Sequence, residues 1–144
     1  MSRLVVADTK DLPSDWVLKI PGEHNRYNAA LALVAARAAG IADPVSRKAL
    51  ESFTGVPGRL ELVREVNGVK IYNDTTSTTP EATLAALSAL EPEHTVLIMG
   101  GTDKNLDMNT LLARLADVKR VILLSGSGTN RILEFLPSAS VFDN

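Results

Sequence analysis

Three short apolar runs, Thr95 to Met99, Arg120 to Leu124 and the Val141-Phe142 pair, are separated by stretches with helical spacing, and this alternation constrains the fold most. A strand without a polar face must be covered on both sides, and parallel strands need a crossover between them. The pattern predicts an α/β fold built on a Rossmann-like open, mostly parallel sheet covered on both faces, with ligands beyond the carboxyl ends of its strands. Helices are expected over Pro80 to Leu90, capped by Thr78 or Thr79, with Ala82, Leu84, Ala85, Leu87 and Leu90 turned inward. Two more are expected over Leu106 to Ala116 and Thr129 to Leu136. The loops after Tyr72, Met99 and Leu124 should then share one edge.

Upstream the pattern changes. Leu60 to Val66 nearly alternates, Asn67-Gly68 is a type I′ turn dipeptide, and Val69 to Tyr72 resumes the alternation, which predicts a hairpin. Before it, the segment from Asn28 reads as a buried helix ending at Gly40, and Ala42 to Phe53 as a second helix. Asp43 is its expected cap, and Val45, Ala49, Leu50 and Phe53 its apolar face. Leu4 to Ala7 and Trp16 to Ile20 are expected strands. The glycine- and proline-bearing segment Thr54 to Arg59 reads as a linker between helix-rich residues 1–55 and strand-rich residues 56–144.

The chain has 144 residues, enough for one full core. Its net charge of −2 and 4% aromatic content, with no basic run, argue against nucleic acid as a partner. Without cysteine, and with His24 and His94 far apart, there is no structural metal site to expect. No apolar run approaches the roughly 20 residues of a membrane span, and Asp8, Lys10 and Asp11 break any signal-peptide pattern. A cytoplasmic protein away from membranes is expected.

Polar chemistry gathers at the ends of elements. Asn73 to Thr79 places Asp74 and the hydroxyls of Thr75, Thr76, Ser77, Thr78 and Thr79 between a strand and a helix N-terminus, where free N–H groups favour an anion. A loop that only caps its own helix would look similar. Gly100-Gly101-Thr102-Asp103-Lys104 follows an apolar strand, so its glycines permit a tight turn and Lys104 offers a point charge, although a solvated lysine after a glycine turn is the commoner fate of such a segment. Ser125 to Asn130 lacks the third glycine and acidic partner of a dinucleotide loop and reads as the turn into a helix. Asn25 and Asn28 stand three residues apart, where they could read an adenine edge or merely cap a helix. Arg59, in the linker, could reach phosphates. No G-x-x-x-x-G-K-[ST] occurs.

The order GEHNRYN, FTGVPGR, LELV-x-x-x-NGV, YND-x-x-x-T and MGG-x-x-K-x-x-D, over about residues 18–136, closely resembles the glutamate-adding branch of the Mur ligase family. The resemblance implies that residues 1–55 are the helical C-terminal end of a central ATP-binding domain and residues 56–144 a glutamate-binding C-terminal domain, truncated at Asn144. It implies ATP and Mg2+ as cofactors, and UDP-N-acetylmuramoyl-L-alanine and glutamate as substrates joined through an acyl phosphate. A monomer is expected, and one inactive alone for want of the P-loop. Asn25, Asn28, Arg59 and Asp74 would bind ATP, while Thr78 and Lys104 would bind glutamate. Thr75, Thr76, Gly100 and Gly101 would contribute from their loops, and no residue is assigned a metal.

Two departures stand out. The family commonly has His where Gly58 stands, and Asp-Ser-Lys-Ala-Thr-Asn where this chain has Asp74 to Thr79, so Thr76 removes a cation. The Ser77-Thr78-Thr79-Pro80 ending looks more like a branch that adds L-glutamate. A folylpolyglutamate synthase would usually carry a D-G-A-H-N-like loop at Asn73 to Thr76. A non-catalytic α/β binding module is the remaining alternative.

Overall fold

Gly22 and Gly40 bracket the first helix, α1 (Glu23–Ala38). Gly40 takes φ +79°, and the Gly40 and Ile41 N–H groups return to the carbonyls of Arg37 and Ala36, closing the helix with a Schellman turn. The helix starts a turn and a half before Asn28, so Asn25 and Asn28 both lie within it rather than capping it. The second helix, α2 (Asp43–Ser52), begins after Ala42, not at an Asp43 cap; the Asp43 carboxylate instead pairs with Arg37 at 2.7 Å. The computed structural model describes residues 4–143 and packs them as two units, one ending at Thr76 and one beginning at Ser77.

The helical part of the first unit is organised around Trp16. Leu12, Trp16, Ala29, Ala30 and Leu33 are buried together, with Leu18 and Leu50 against them. Neither expected strand forms here. The Trp16 and Pro13 carbonyls accept from the Arg26 guanidinium, and the Val17 N–H donates to Glu51, so side chains, not a neighbouring strand, satisfy this backbone. Arg47 reinforces the arrangement, stacked 5.8 Å from the Trp16 ring centroid and paired with Asp15 and Glu51. Leu4 and Val6 are exposed and form no ladder. Contrary to the expectation of a buried helix, α1 covers one face only, and Leu31 stays exposed. On α2, Ser46 and Leu50 face inward while Val45 and Phe53 are exposed, a rotation of the expected face.

The hairpin forms as expected from β1 (Glu61–Val66) and β2 (Val69–Asn73), antiparallel, with Asn67 and Gly68 both at positive φ in the turn. It is a two-stranded sheet of its own, with an irregularity between Leu62 and Arg64. The loop after β2 therefore does not issue from the parallel sheet, which corrects the expectation that three loops share one edge.

In the second unit Thr79 caps α3 (Pro80–Ala89), its hydroxyl accepting from the Ala82 N–H, and Pro80 occupies the first helical position. Then follow β3 (Val96–Met99), α4 (Asn109–Leu115), β4 (Arg120–Leu124), α5 (Ser127–Ile132) and β5 (Ser140–Phe142). The strands form a parallel sheet in the order β3-β4-β5, so the open α/β sheet is present. Leu87 of α3, Leu111 and Leu115 of α4, Val121 and Leu123 of β4 and Ile132 of α5 make one core, with Leu97 and Met99 beside it. The cover is one-sided at β3, where Val96 and Ile98 remain exposed. α4 starts later than expected because Asp107 accepts the Asn109 N–H and holds the preceding segment as a turn.

Candidate functional site

In the first unit, the segment from Val56 to Glu61 lies against the loop after β2. Gly58 and Leu60 take φ +76° and +45°, so Arg59 sits between two left-handed residues, its N–H on the Val56 carbonyl and its side chain exposed. The Asp74 carboxylate accepts the Leu60 N–H at 2.8 Å. Asn73 Oδ1 accepts the Thr75 N–H, an Asx turn that leaves Thr75 exposed. Thr76 donates from both its N–H, at 3.0 Å, and its hydroxyl, at 2.7 Å, to the Gly58 carbonyl. Arg59, Asp74, Thr75 and Thr76 thus belong to two touching segments.

Asn25 and Asn28 lie in the opening turns of α1. The Asn25 side-chain amide donates to the Pro21 carbonyl at 2.7 Å, which fixes its orientation, and Asn28 is exposed.

In the second unit, Gly100-Gly101 follows β3 and Ser125-Gly126 follows β4, so both loops leave the carboxyl edge of the parallel sheet. They interlock. The Gly128 N–H donates to the Gly101 carbonyl at 3.0 Å, and a β-carbon on Gly126 would lie 2.8 Å from that same oxygen. One on Gly100 would lie 2.8 Å from the Leu124 carbonyl oxygen. The buried Thr129 hydroxyl donates to the Leu124 carbonyl, closing the turn into α5. Ser127 Oγ accepts the Asp103 N–H, and the Asp103 carboxylate accepts both the Asn105 N–H and the Arg131 guanidinium at 2.8 Å. Lys104 follows directly, and its Nζ lies 3.4 Å from the Thr78 carbonyl just before α3. Lys104 and Thr78 are therefore neighbours, both exposed to solvent. The contacts of Asp103 with Ser127 and Arg131 escaped the sequence reading because they span 24 and 28 residues.

The Asn105 N–H, and after it Arg131, hold the Asp103 carboxyl below its ordinary value of 3.8. A depressed carboxylate stabilises the folded form above the unfolded pKa and ceases to do so as pH falls through the folded one. The clasp should thus be intact above about pH 4 and open only in more acid solution. An NMR pH titration checks this: the Asn105 amide should shift with an inflection below that of a free aspartate, and Asp103→Asn should abolish the step. An inflection at or above the ordinary value would refute the clasp.

Among the described residues no three acidic or histidine side chains converge on a point that could hold a metal ion. Asp74 is a single carboxylate already engaged with a backbone N–H. The donors of the described residues do not make a magnesium site. Among the described residues, no helix is long and apolar enough to cross a membrane.

The profile of the family described as Mur ligase, glutamate ligase domain, matches residues 58–139. The UDP-N-acetylmuramoylalanine–D-glutamate ligase of Roseiflexus sp. (strain RS-1) is 43% identical over 116 residues, covering 80% of this chain and 25% of that protein. The UDP-N-acetylmuramoyl-L-alanine–L-glutamate ligase of Xanthomonas euvesicatoria pv. vesicatoria (strain 85-10) is 38% identical over 111 residues, covering 77% of this chain and 22% of that one. Among solved structures, MurF from Acinetobacter baumannii superposes with a TM-score of 0.68 at 24% identity, over 85% of this chain and 29% of that one, a likeness of fold. The chain spans about a quarter of the length of the curated relatives it matches.

Proposed function

The chain belongs to the Mur ligase family, and on that premise we propose that it is part of the ATP-dependent ligase that adds glutamate to UDP-N-acetylmuramoyl-L-alanine in peptidoglycan precursor synthesis. What supports this most is the approach of Lys104 Nζ to the Thr78 carbonyl, 3.4 Å, at the carboxyl edge of a parallel sheet. A cation beside the start of a helix suits a carboxylate of the incoming glutamate.

Residues 1–55 are the end of the ATP-binding domain in this reading, and residues 56–144 the glutamate-binding domain. Asn25 and Asn28 serve the adenine of ATP, and Arg59 and Asp74 the phosphate end, with the Arg59 guanidinium neutralising phosphoryl charge. The muramoyl-alanine carboxylate would take the γ-phosphoryl group of ATP, with ADP leaving, to give an acyl phosphate. The amine of glutamate displaces phosphate, and its positioning falls to Thr78 and Lys104. Magnesium would neutralise phosphoryl charge on ATP. The protein acts as a monomer in the cytoplasm.

The L-glutamate branch is kept as a second reading because a relative of that name is 38% identical and the chain carries Ser77-Thr78-Thr79-Pro80. The test is phosphate release by the product of the whole reading frame, given ATP, magnesium, UDP-N-acetylmuramoyl-L-alanine and either enantiomer of glutamate. Release that requires D-glutamate is the expected result. Release with L-glutamate alone would establish the second reading, and release with neither would overturn both.

A further inference from the structure

Arg59 is framed by two residues in left-handed backbone, and one of them is a leucine. Glycine adopts this region freely, so Gly58 at φ +76° is unremarkable, but Leu60 at φ +45° is strained. Such a conformation persists only when its surroundings over-determine it.

The surroundings are on view. The Leu60 side chain is buried, and its N–H is held by Asp74 at 2.8 Å. Glu61 Oε2 reaches back to accept the Gly58 N–H at 2.8 Å and also accepts the Asn73 side-chain amide at 3.3 Å. The Gly58 carbonyl takes both donors of Thr76. Each flank of Arg59 is thus pinned to the loop after β2, and Glu61 and Thr76 pin the Gly58 side.

Gly58 and Thr76 are also matched in shape. A β-carbon on Gly58 would stand 3.0 Å from Thr76 Cγ2 and 3.3 Å from Thr75 Oγ1, and the hydroxyl bond to Gly58 helps hold that methyl where it is. Gly58 and Thr76, which stand where the family commonly has His and Lys, therefore touch each other.

We infer that Glu61 and Thr76 are positioning residues, which fix the Gly58-Arg59-Leu60 turn so that Arg59 is presented to the phosphates of ATP; this rests on the ATP role of Arg59 proposed above. Thr76 supplies an anchor to the backbone where a lysine would supply charge. Glu61 acts through the same turn and touches no substrate.

The test uses the product of the whole reading frame, comparing Thr76→Val, which keeps the shape and removes the hydroxyl, with Thr76→Ser, which restores it. Thr76→Val should speed hydrogen exchange in peptides covering residues 56–62 and raise the ATP KM, each about fivefold, with the glutamate KM within about twofold. Thr76→Ser should restore both. Glu61→Met, which removes the acceptor, should reproduce the Val phenotype and provides a second route if Thr76→Val folds poorly.

Arg59→Ala separates the two levels of the argument. If it raises the ATP KM while Thr76→Val and Glu61→Met leave exchange or that KM unchanged, the positioning role is overturned and the site reading survives. If Arg59→Ala leaves the ATP KM unchanged, the site reading fails and takes the inference with it.

Discussion

Lys104→Ala is expected to raise the glutamate KM of the ligase by roughly ten- to a hundredfold while leaving the ATP KM within about twofold, because a hydrogen bond to a charged group contributes about 1.5–3 kcal/mol. The loop that carries Lys104 is held independently of it. Asp103 is fastened by Arg131 and Ser127, and the glycines behind it pack against the turn into α5, so truncating an exposed lysine should leave the fold intact. Lys104→Arg should recover only part of the loss, since a planar fork does not replace a compact ammonium at close range. Steady-state kinetics with each substrate varied in turn decides the matter. Equal increases in both KM values would mean that Lys104 serves the site as a whole and not the amino acid.

Leu123→Ala is expected to destabilise the second unit by about 2–5 kcal/mol, the range for emptying a fully buried leucine site. Leu123 is completely buried in the central strand of a three-stranded sheet, among Leu87, Leu111, Leu115 and Ile132. Its neighbours come from all three helices of the unit, so no single element can shift to fill the void. A domain of this size is stable by only about 5–15 kcal/mol, so the substitution removes a large part of the margin. Urea denaturation followed by circular dichroism measures it. A loss below about 1 kcal/mol would mean that the core collapses around the missing side chain, contrary to the packing described.

Much of the second unit was legible in the sequence because its signals are local. β4 follows the Arg120 to Leu124 run and Thr79 caps α3, and in the first unit Asn67-Gly68 makes the hairpin turn. The end of α1 was equally readable, since Gly40 meets the left-handed requirement of a Schellman turn. Trp16 to Ile20 misled because alternation describes side chains, while a strand needs a backbone partner, and here Arg26 and Glu51 fill that role from 10 and 34 residues away. The inward face of α2 was misjudged because Arg47 stacks on Trp16 and its chain neighbour Ser46 is buried, neither of which a hydrophobicity pattern contains.

The site divides the same way. Lys104 and Thr78 could be named because their motifs resemble those of the family, whereas the Asp103 to Arg131 pair depends on the sheet bringing two loops together. Asp74 could be named as a carboxylate. Its bond to Leu60 N–H follows from a left-handed leucine, which no local preference would predict.

The interlock of Gly101 with Gly126 and Gly128 makes the two loops at the sheet edge a single inheritable part. Lengthening either by one residue would displace the carbonyl on which the other rests and move the lysine with it. A chimaera between relatives that transplants the lysine loop alone should accordingly be misfitted, while moving both loops together should preserve the packing between them.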